Sequence, residues 1–139
     1  MRTSATLLFA TLCIGATGVS AHAQNMTIRG SNTIALKSGE SQEIGEIYYV
    51  TNCVSLLKST PVVEVVQGPP GVTAEIKEAT VLPREQRCAA PLKGAKLFVA
   101  AKDIEDPSYS PLILRITYDT REGERKLSQI YNLYLVPKE

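Results

Sequence analysis

The stretch Pro111–Val136, PLILRITYDTREGERKLSQIYNLYLV, decides the fold. Leu112, Leu114, Ile116 and Tyr118 fall on one parity, and Ile113, Arg115, Thr117 and Asp119 on the other. Successive side chains of a strand point to opposite faces, so this spacing predicts a strand with one buried row. Thr120-Arg121-Glu122-Gly123-Glu124 supplies a turn, in which Gly123 is free to take a positive φ. Leu127, Gln129, Tyr131, Leu133 and Leu135 form the inward row of a return strand that Pro137 ends. The segment therefore reads as one long hairpin.

The same logic extends upstream. Ala95, Leu97, Val99 and Ala101 alternate with Lys96 and Lys102. Val72, Ala74 and Ile76 alternate with Thr73, Glu75 and Lys77, the cleanest period of two in the chain. Val62-Val63-Glu64-Val65-Val66 is a short apolar run between Pro61 and Gln67-Gly68-Pro69-Pro70-Gly71, whose length and punctuation favour a strand. Ile44–Thr51 is rich in β-branched and aromatic residues, and Thr33–Lys37 alternates before a turn at Ser38-Gly39-Glu40-Ser41. Turn residues recur at the spacing of a sandwich or barrel. No segment after the N-terminal stretch reads as a helix, and there is no internal repeat. The expectation is an all-β domain, an antiparallel β-sandwich of seven or eight strands.

Three segments resemble bacterial immunoglobulin-like or fibronectin-type-III-like sandwiches. They are Leu36-Lys37-Ser38-Gly39-Glu40 before the second strand, the bend Gly68-Pro69-Pro70-Gly71-Val72-Thr73, and the closing stretch Pro111–Val136. The resemblance implies two facing sheets over most of the chain. The chain also looks like small uncharacterised secreted proteins of Gram-negative bacteria, a likeness that brings no activity and no site residues. It departs from antibody domains in lacking Trp, which those domains pack on a disulfide joining the sheets.

The N-terminal stretch reads as an export signal. Arg2 gives the positive start, Leu7–Ala16 the apolar middle, and Ala21-His22-Ala23 the small-x-small cleavage pattern. The expected division is residues 1–23 as a cleaved signal and 24–139 as a single domain. A membrane anchor needs about 20 apolar residues, more than this middle supplies. Lipidation at Cys13 would want a small residue where Leu12 stands. Gln24–Ser31 reads as a lead-in or a first edge strand. Asn25-Met26-Thr27 fits the N-glycosylation pattern, which carries no meaning behind a bacterial signal.

Cleavage removes Cys13, His22 and Phe9, and leaves Cys53 and Cys88 in an oxidising compartment. Two cysteines allow one intramolecular pairing, Cys53–Cys88. Cys53 follows the second strand and Cys88 precedes the strand at Ala95, so the bridge should tie loops at one end. In the chain-entropy account such a bridge stabilises the fold by about 4 kcal/mol.

Composition also limits function. The chain carries 15 Lys and Arg against 14 Asp and Glu, and loss of Arg2 balances them. Phosphate binding is driven largely by excess basic charge, so nucleic acid is not an expected partner. Arg121, Arg125 and Lys126 are interleaved with Asp119, Glu122 and Glu124, as on a solvated hairpin tip. Without His, neither a Ser–His–Asp triad nor a usual zinc site can be assembled after cleavage. Ser55-Leu56-Leu57-Lys58 matches the S-x-x-K nucleophile pattern, but the companion motifs of that chemistry are absent. The expectation is therefore no enzyme and no cofactor.

Two candidate features remain. Asp103, Glu105 and Asp106 place three carboxylates in four residues, a possible oxygen-ligand set for Ca²⁺. Tyr48, Tyr49 and Tyr134 lie on expected strands, where adjacent residues face opposite sides, and Phe98 falls on the polar parity beside Lys96. Exposed aromatic rings are common at binding surfaces. The sequence thus leads to a non-catalytic interaction module of the periplasm or cell exterior, with another envelope or extracellular protein as partner and no membrane span after cleavage. The alternative is a small-ligand or calcium-binding β-sandwich.

Overall fold

A computed structural model describes residues 33–139; the expected export signal, its cleavage site and Gln24–Ser31 lie outside the described residues. The chain runs through β1 (Thr33–Lys37), β2 (Ser41–Ile47), β3 (Val50–Thr51), β4 (Val54–Ser55), β5 (Val62–Gln67) and β6 (Val72–Val81). A single 3-10 turn at Arg84–Gln86 leads to β7 (Leu92–Ala101), β8 (Ser108–Thr120) and β9 (Gly123–Val136). Four strands form one sheet in the order β1-β9-β8-β5, and three form another in the order β2-β7-β6. β3 and β4 make a separate two-stranded ribbon. The structure is all-β, with seven strands in two sheets and two short strands added between them in sequence.

The expected alternations set the core. Leu112, Leu114, Ile116 and Tyr118 of β8 are buried with Leu133 and Leu135 of β9, and they meet Ala95, Leu97, Val99 and Ala101 of β7. Ile34 and Leu36 of β1 close one side. Fully burying a side chain such as Leu contributes about 1.5–3 kcal/mol, so this shared cluster is what holds the two sheets together.

The structure corrects several expected strands. β1 pairs with β9 in parallel, with Thr33 opposite Asn132 and Lys37 opposite Val136, so the four-stranded sheet is mixed. The chain then crosses to the other sheet at Ser38–Gly39. The Ser38 N–H donates to Val136 O at 2.9 Å and the Gly39 N–H to Ala101 O at 2.8 Å, one bond to each sheet. β2 ends at Ile47, and Tyr48 and Tyr49 lie outside the strands, because Val50 turns away to begin the ribbon.

β8 starts earlier than the alternation indicates. Ser108–Ser110, ahead of the alternating stretch, pair with Leu133–Leu135. Pro111 is accommodated within the strand because β5 reaches only to Ile113, so no partner strand asks for its missing N–H. β6 likewise continues to Val81, and β7 begins at Leu92 with Val81 opposite it.

Two glycines are required by close approach. Gly71 has φ +82°, and a Cβ there would lie 2.1 Å from Lys102 O. Its carbonyl accepts from the Lys102 N–H at 2.8 Å, which closes the β6–β7 pair at that end. A Cβ at Gly94 would lie 2.7 Å from Ile47 O, where the end of β2 crosses β7.

Candidate functional site

Three loops gather at one end of the molecule. Asn52 and Cys53 join β3 to β4 with positive φ at both positions, 50° and 58°. That is the turn whose twist suits a two-residue hairpin, and Asn tolerates it well. Cys53 is bonded to Cys88 with a Cα–Cα distance of 5.4 Å. The bridge joins the ribbon to the loop between β6 and β7, not sheet to sheet.

Polar contacts reinforce the same tie. Gln86 Nε2 donates to Val50 O at 3.0 Å, and Ser55 Oγ donates to Lys93 O at 2.8 Å. The β8–β9 turn joins from the other side. The Arg121 N–H donates to Leu56 O and the Lys58 N–H to Asp119 O, each at 2.9 Å. Tyr49 Oη donates to Glu122 Oε2 at 3.1 Å. Ser55 and Lys58 are thus engaged separately, with Lys58 Nζ 3.9 Å from Asp119 Oδ1. Among the described residues, Ser55 Oγ has the Lys93 carbonyl and not Lys58 Nζ as its hydrogen-bond partner.

Beside this end lies an open groove of about 430 Å³ lined by Tyr48, Tyr49, Tyr118, Arg125, Lys126 and Leu127. Tyr49 and Tyr118 have ring centroids 6.4 Å apart. Burial, and secondarily the neighbouring Tyr131, pushes the Tyr118 phenol up to about 12. Burial also raises Tyr131, whose hydroxyl donates to Gln129 Oε1. Both phenols are therefore neutral donors at ordinary pH, suited to hydrogen bonding rather than proton abstraction.

The other candidate aromatics are dispersed. Phe98 lies on the outer face of the three-stranded sheet, half-buried under Lys77, whose Nζ is 4.8 Å from the ring centre. Tyr134 lies on the outer face of the four-stranded sheet, stacked on Tyr109 with centroids 4.6 Å apart. Tyr48 and Tyr49 share the groove, so the four expected binding residues occupy three separate surfaces.

The acidic loop has no convergent geometry. Asp103 takes a left-handed φ of 56°, and Ile104 turns inward against the core while its N–H donates to Ser38 Oγ at 3.2 Å. Asp103, Glu105 and Asp106 remain exposed. Among the described residues no group of three His, Cys, Asp or Glu side chains could hold a metal ion.

A further group of exposed apolar residues lies elsewhere. On the outer face of the four-stranded sheet, Ile113 stands opposite Ile130, and Tyr109 opposite Tyr134. Val62 and Val66 of β5 flank them. Tyr109 is 76% exposed, Val62 67%, Ile130 47% and Val66 44%. Sequence reading missed this face because it weighed each strand by its buried row. The available signal was the apolar residue on the polar parity, Ile113 in β8 and Ile130 in β9. Among the described residues no helix is long and apolar enough to cross a membrane. Comparison of the chain with protein-family models, curated proteins and solved structures finds no significant match.

Proposed function

We propose that the chain is an immunoglobulin-like sandwich serving as a non-catalytic interaction module in the periplasm or at the cell exterior, with another envelope or extracellular protein as partner. The strand order supports the fold. Antibody constant domains place their second, fifth and fourth strands in one sheet and their third, sixth and seventh in the other. With the short ribbon set aside, β2-β7-β6 and β5-β8-β9 follow that scheme.

The observation that carries the functional reading is the apolar outer face of the four-stranded sheet. Exposed apolar residues gathered on one sheet face support an interaction surface there. Its aromatic pair supplies rigid contact area, and the Arg115–Glu64 pair, at 3.5 Å, sits among the valines and isoleucines as a neutral polar element. The test is cross-linking of the tagged protein in its native envelope. A reproducible partner should be captured by the wild type and lost by Tyr109→Ala or Ile130→Asp.

The groove at Tyr48, Tyr49 and Tyr118 supports the second reading, a small-ligand binder. Its volume lies within the range of ligand pockets, and its lining combines aromatic rings with Arg125. A ligand held there would raise the melting temperature of the wild type more than that of Tyr118→Phe.

A further inference from the structure

We propose that two copies of this chain pair antiparallel through the outer edge of β6, with a two-fold axis through Ile76. β2 and β6 are the edge strands of the three-stranded sheet, and β5 is an edge strand of the other. β2 is interrupted by a register shift between Glu43 and Gly45, and β5 by one between Val65 and Gln67. Irregularities of this kind turn an edge away from a further strand. β6 has none, since Val72–Val81 pairs with β7 in unbroken register. Among the described residues, no strand pairs with its other side. A long, regular edge is a template for another strand.

The limits of this edge are set by its own turns, at Pro69-Pro70-Gly71 and at Leu82-Pro83. The described chain begins on the other side of the molecule. Thr33 opens β1, at the end of the four-stranded sheet opposite β5, and β5 is the strand of that sheet that lies against β6.

Alternate residues of β6 direct their backbone groups outward, because hydrogen-bonded and non-hydrogen-bonded pairs alternate along an antiparallel ladder. The Lys102 N–H donates to Gly71 O at 2.8 Å, so the odd-numbered residues of β6 bond to β7. Ala101, opposite Val72, donates its N–H to Glu40 O at 3.1 Å, away from β6, which fixes the count independently. Ala74, Ile76, Glu78 and Thr80 therefore present their N–H and C=O groups at the outer edge.

The side chains select a second copy as the occupant and select its register. Bonded pairs join outward-directed residues, so the two-fold axis passes through a residue. An axis through Ile76 uses Val72–Thr80 of both chains. It sets Glu75 opposite Lys77 of the second copy, and Lys77 opposite its Glu75. These are non-hydrogen-bonded positions, where side chains approach most closely. Within one chain the same two side chains are exposed and lie 3.7 Å apart, so both can pair across the boundary. On the inner side, Ile76, partly buried against the core, meets Ile76 of the second copy. An axis through Glu75, Lys77 or Glu78 would set like charges directly opposite each other, which is destabilising. An axis through Ala74 or Ala79 would leave only Val72–Ile76 or Lys77–Val81 paired. The result is one continuous sheet across both copies. This inference stands apart from the partner-binding face, which lies on the four-stranded sheet.

The experiment uses the full chain recovered from its native envelope. Wild type, Glu75→Lys, Lys77→Glu, the double reversal Glu75→Lys with Lys77→Glu, and Glu78→Pro are compared by sedimentation, with the far-ultraviolet spectrum as the control for folding. The wild type should sediment at twice the chain mass. Each single reversal opposes like charges twice across the axis and should halve that mass, and the double reversal should restore it. Glu78→Pro removes an outward N–H without touching the β7 ladder, and should halve the mass while leaving the spectrum unchanged. A wild type that remains at single-chain mass to millimolar concentration would overturn the proposal. So would a dimer that survives either single reversal or Glu78→Pro, or a folded double reversal that stays at single-chain mass.

Discussion

Ile113 and Ile130 stand directly opposite one another on the face of the β8–β9 ladder turned away from the core. Each strand buries its alternate residues against the other sheet, so neither isoleucine is needed to fill the interior. With the exposed Tyr109 and Val62 on the same outer face, they are the basis of the partner surface proposed above.

The disulfide acts on loops, and its loss should be felt there first. Replacing Cys53 and Cys88 together by Ser should lower stability by about 2–5 kcal/mol, read by chemical denaturation. Amide exchange should accelerate at Val50–Ser55 and Arg84–Cys88 before it changes in β8. Uniform acceleration across both sheets would show instead that the bridge supports the whole core.

Gly71 and Gly45 offer a matched comparison. Gly71→Ala forces a Cβ to within 2.1 Å of Lys102 O at positive φ, and should cost more than about 1 kcal/mol. A Cβ at Gly45 meets nothing within 4 Å, so Gly45→Ala should change stability by no more than about 0.5 kcal/mol. Equal effects of the two substitutions on the denaturation midpoint would contradict the close approach at the β6–β7 end.

Tyr118 should make the fold sensitive to alkali. Its folded pKa is raised from 10.0 to about 12, so the unfolded chain releases this proton first. The associated stabilisation is complete below pH 10 and is lost as pH rises from 10 towards 12, to a total of about 2–3 kcal/mol. Wild type minus Tyr118→Phe, measured across that window, isolates the effect. A difference that stays flat with pH would mean that Tyr118 is not held neutral by burial.

Calcium should leave the protein unchanged. Asp103, Glu105 and Asp106 are exposed and, among the described residues, belong to no three-ligand group, so a millimolar excess should not move the melting temperature. A rise of several degrees would establish a site that these loop positions do not reveal.

Much of the architecture was legible in period-two patterns. The buried rows of β7 and β8 and the turn at Gly123 followed from residues that obey a local rule, and the Cys53–Cys88 pairing followed from the cysteine count. The pairing of β1 was not legible, because alternation fixes which face is buried but not which strand lies alongside. The β3–β4 ribbon escaped because two-residue strands carry no period, and its clue was only Asn52 at a left-handed position. That break also took Tyr48 and Tyr49 off the strand and into the groove. The outer apolar face depends on which strands become neighbours. Val62 and Val66 join Ile113 and Ile130 only through the β5–β8 and β8–β9 registers.

The most direct measurement is cross-linking in the native envelope with four forms of the protein: wild type, Tyr109→Ala, Ile130→Asp and Phe98→Ala. An interaction module working through the four-stranded sheet should capture one reproducible partner other than itself with the wild type and Phe98→Ala, and lose it with the other two. Retention of that partner by both Tyr109→Ala and Ile130→Asp, or no partner above background in any form, would contradict the assignment of that face as the binding surface.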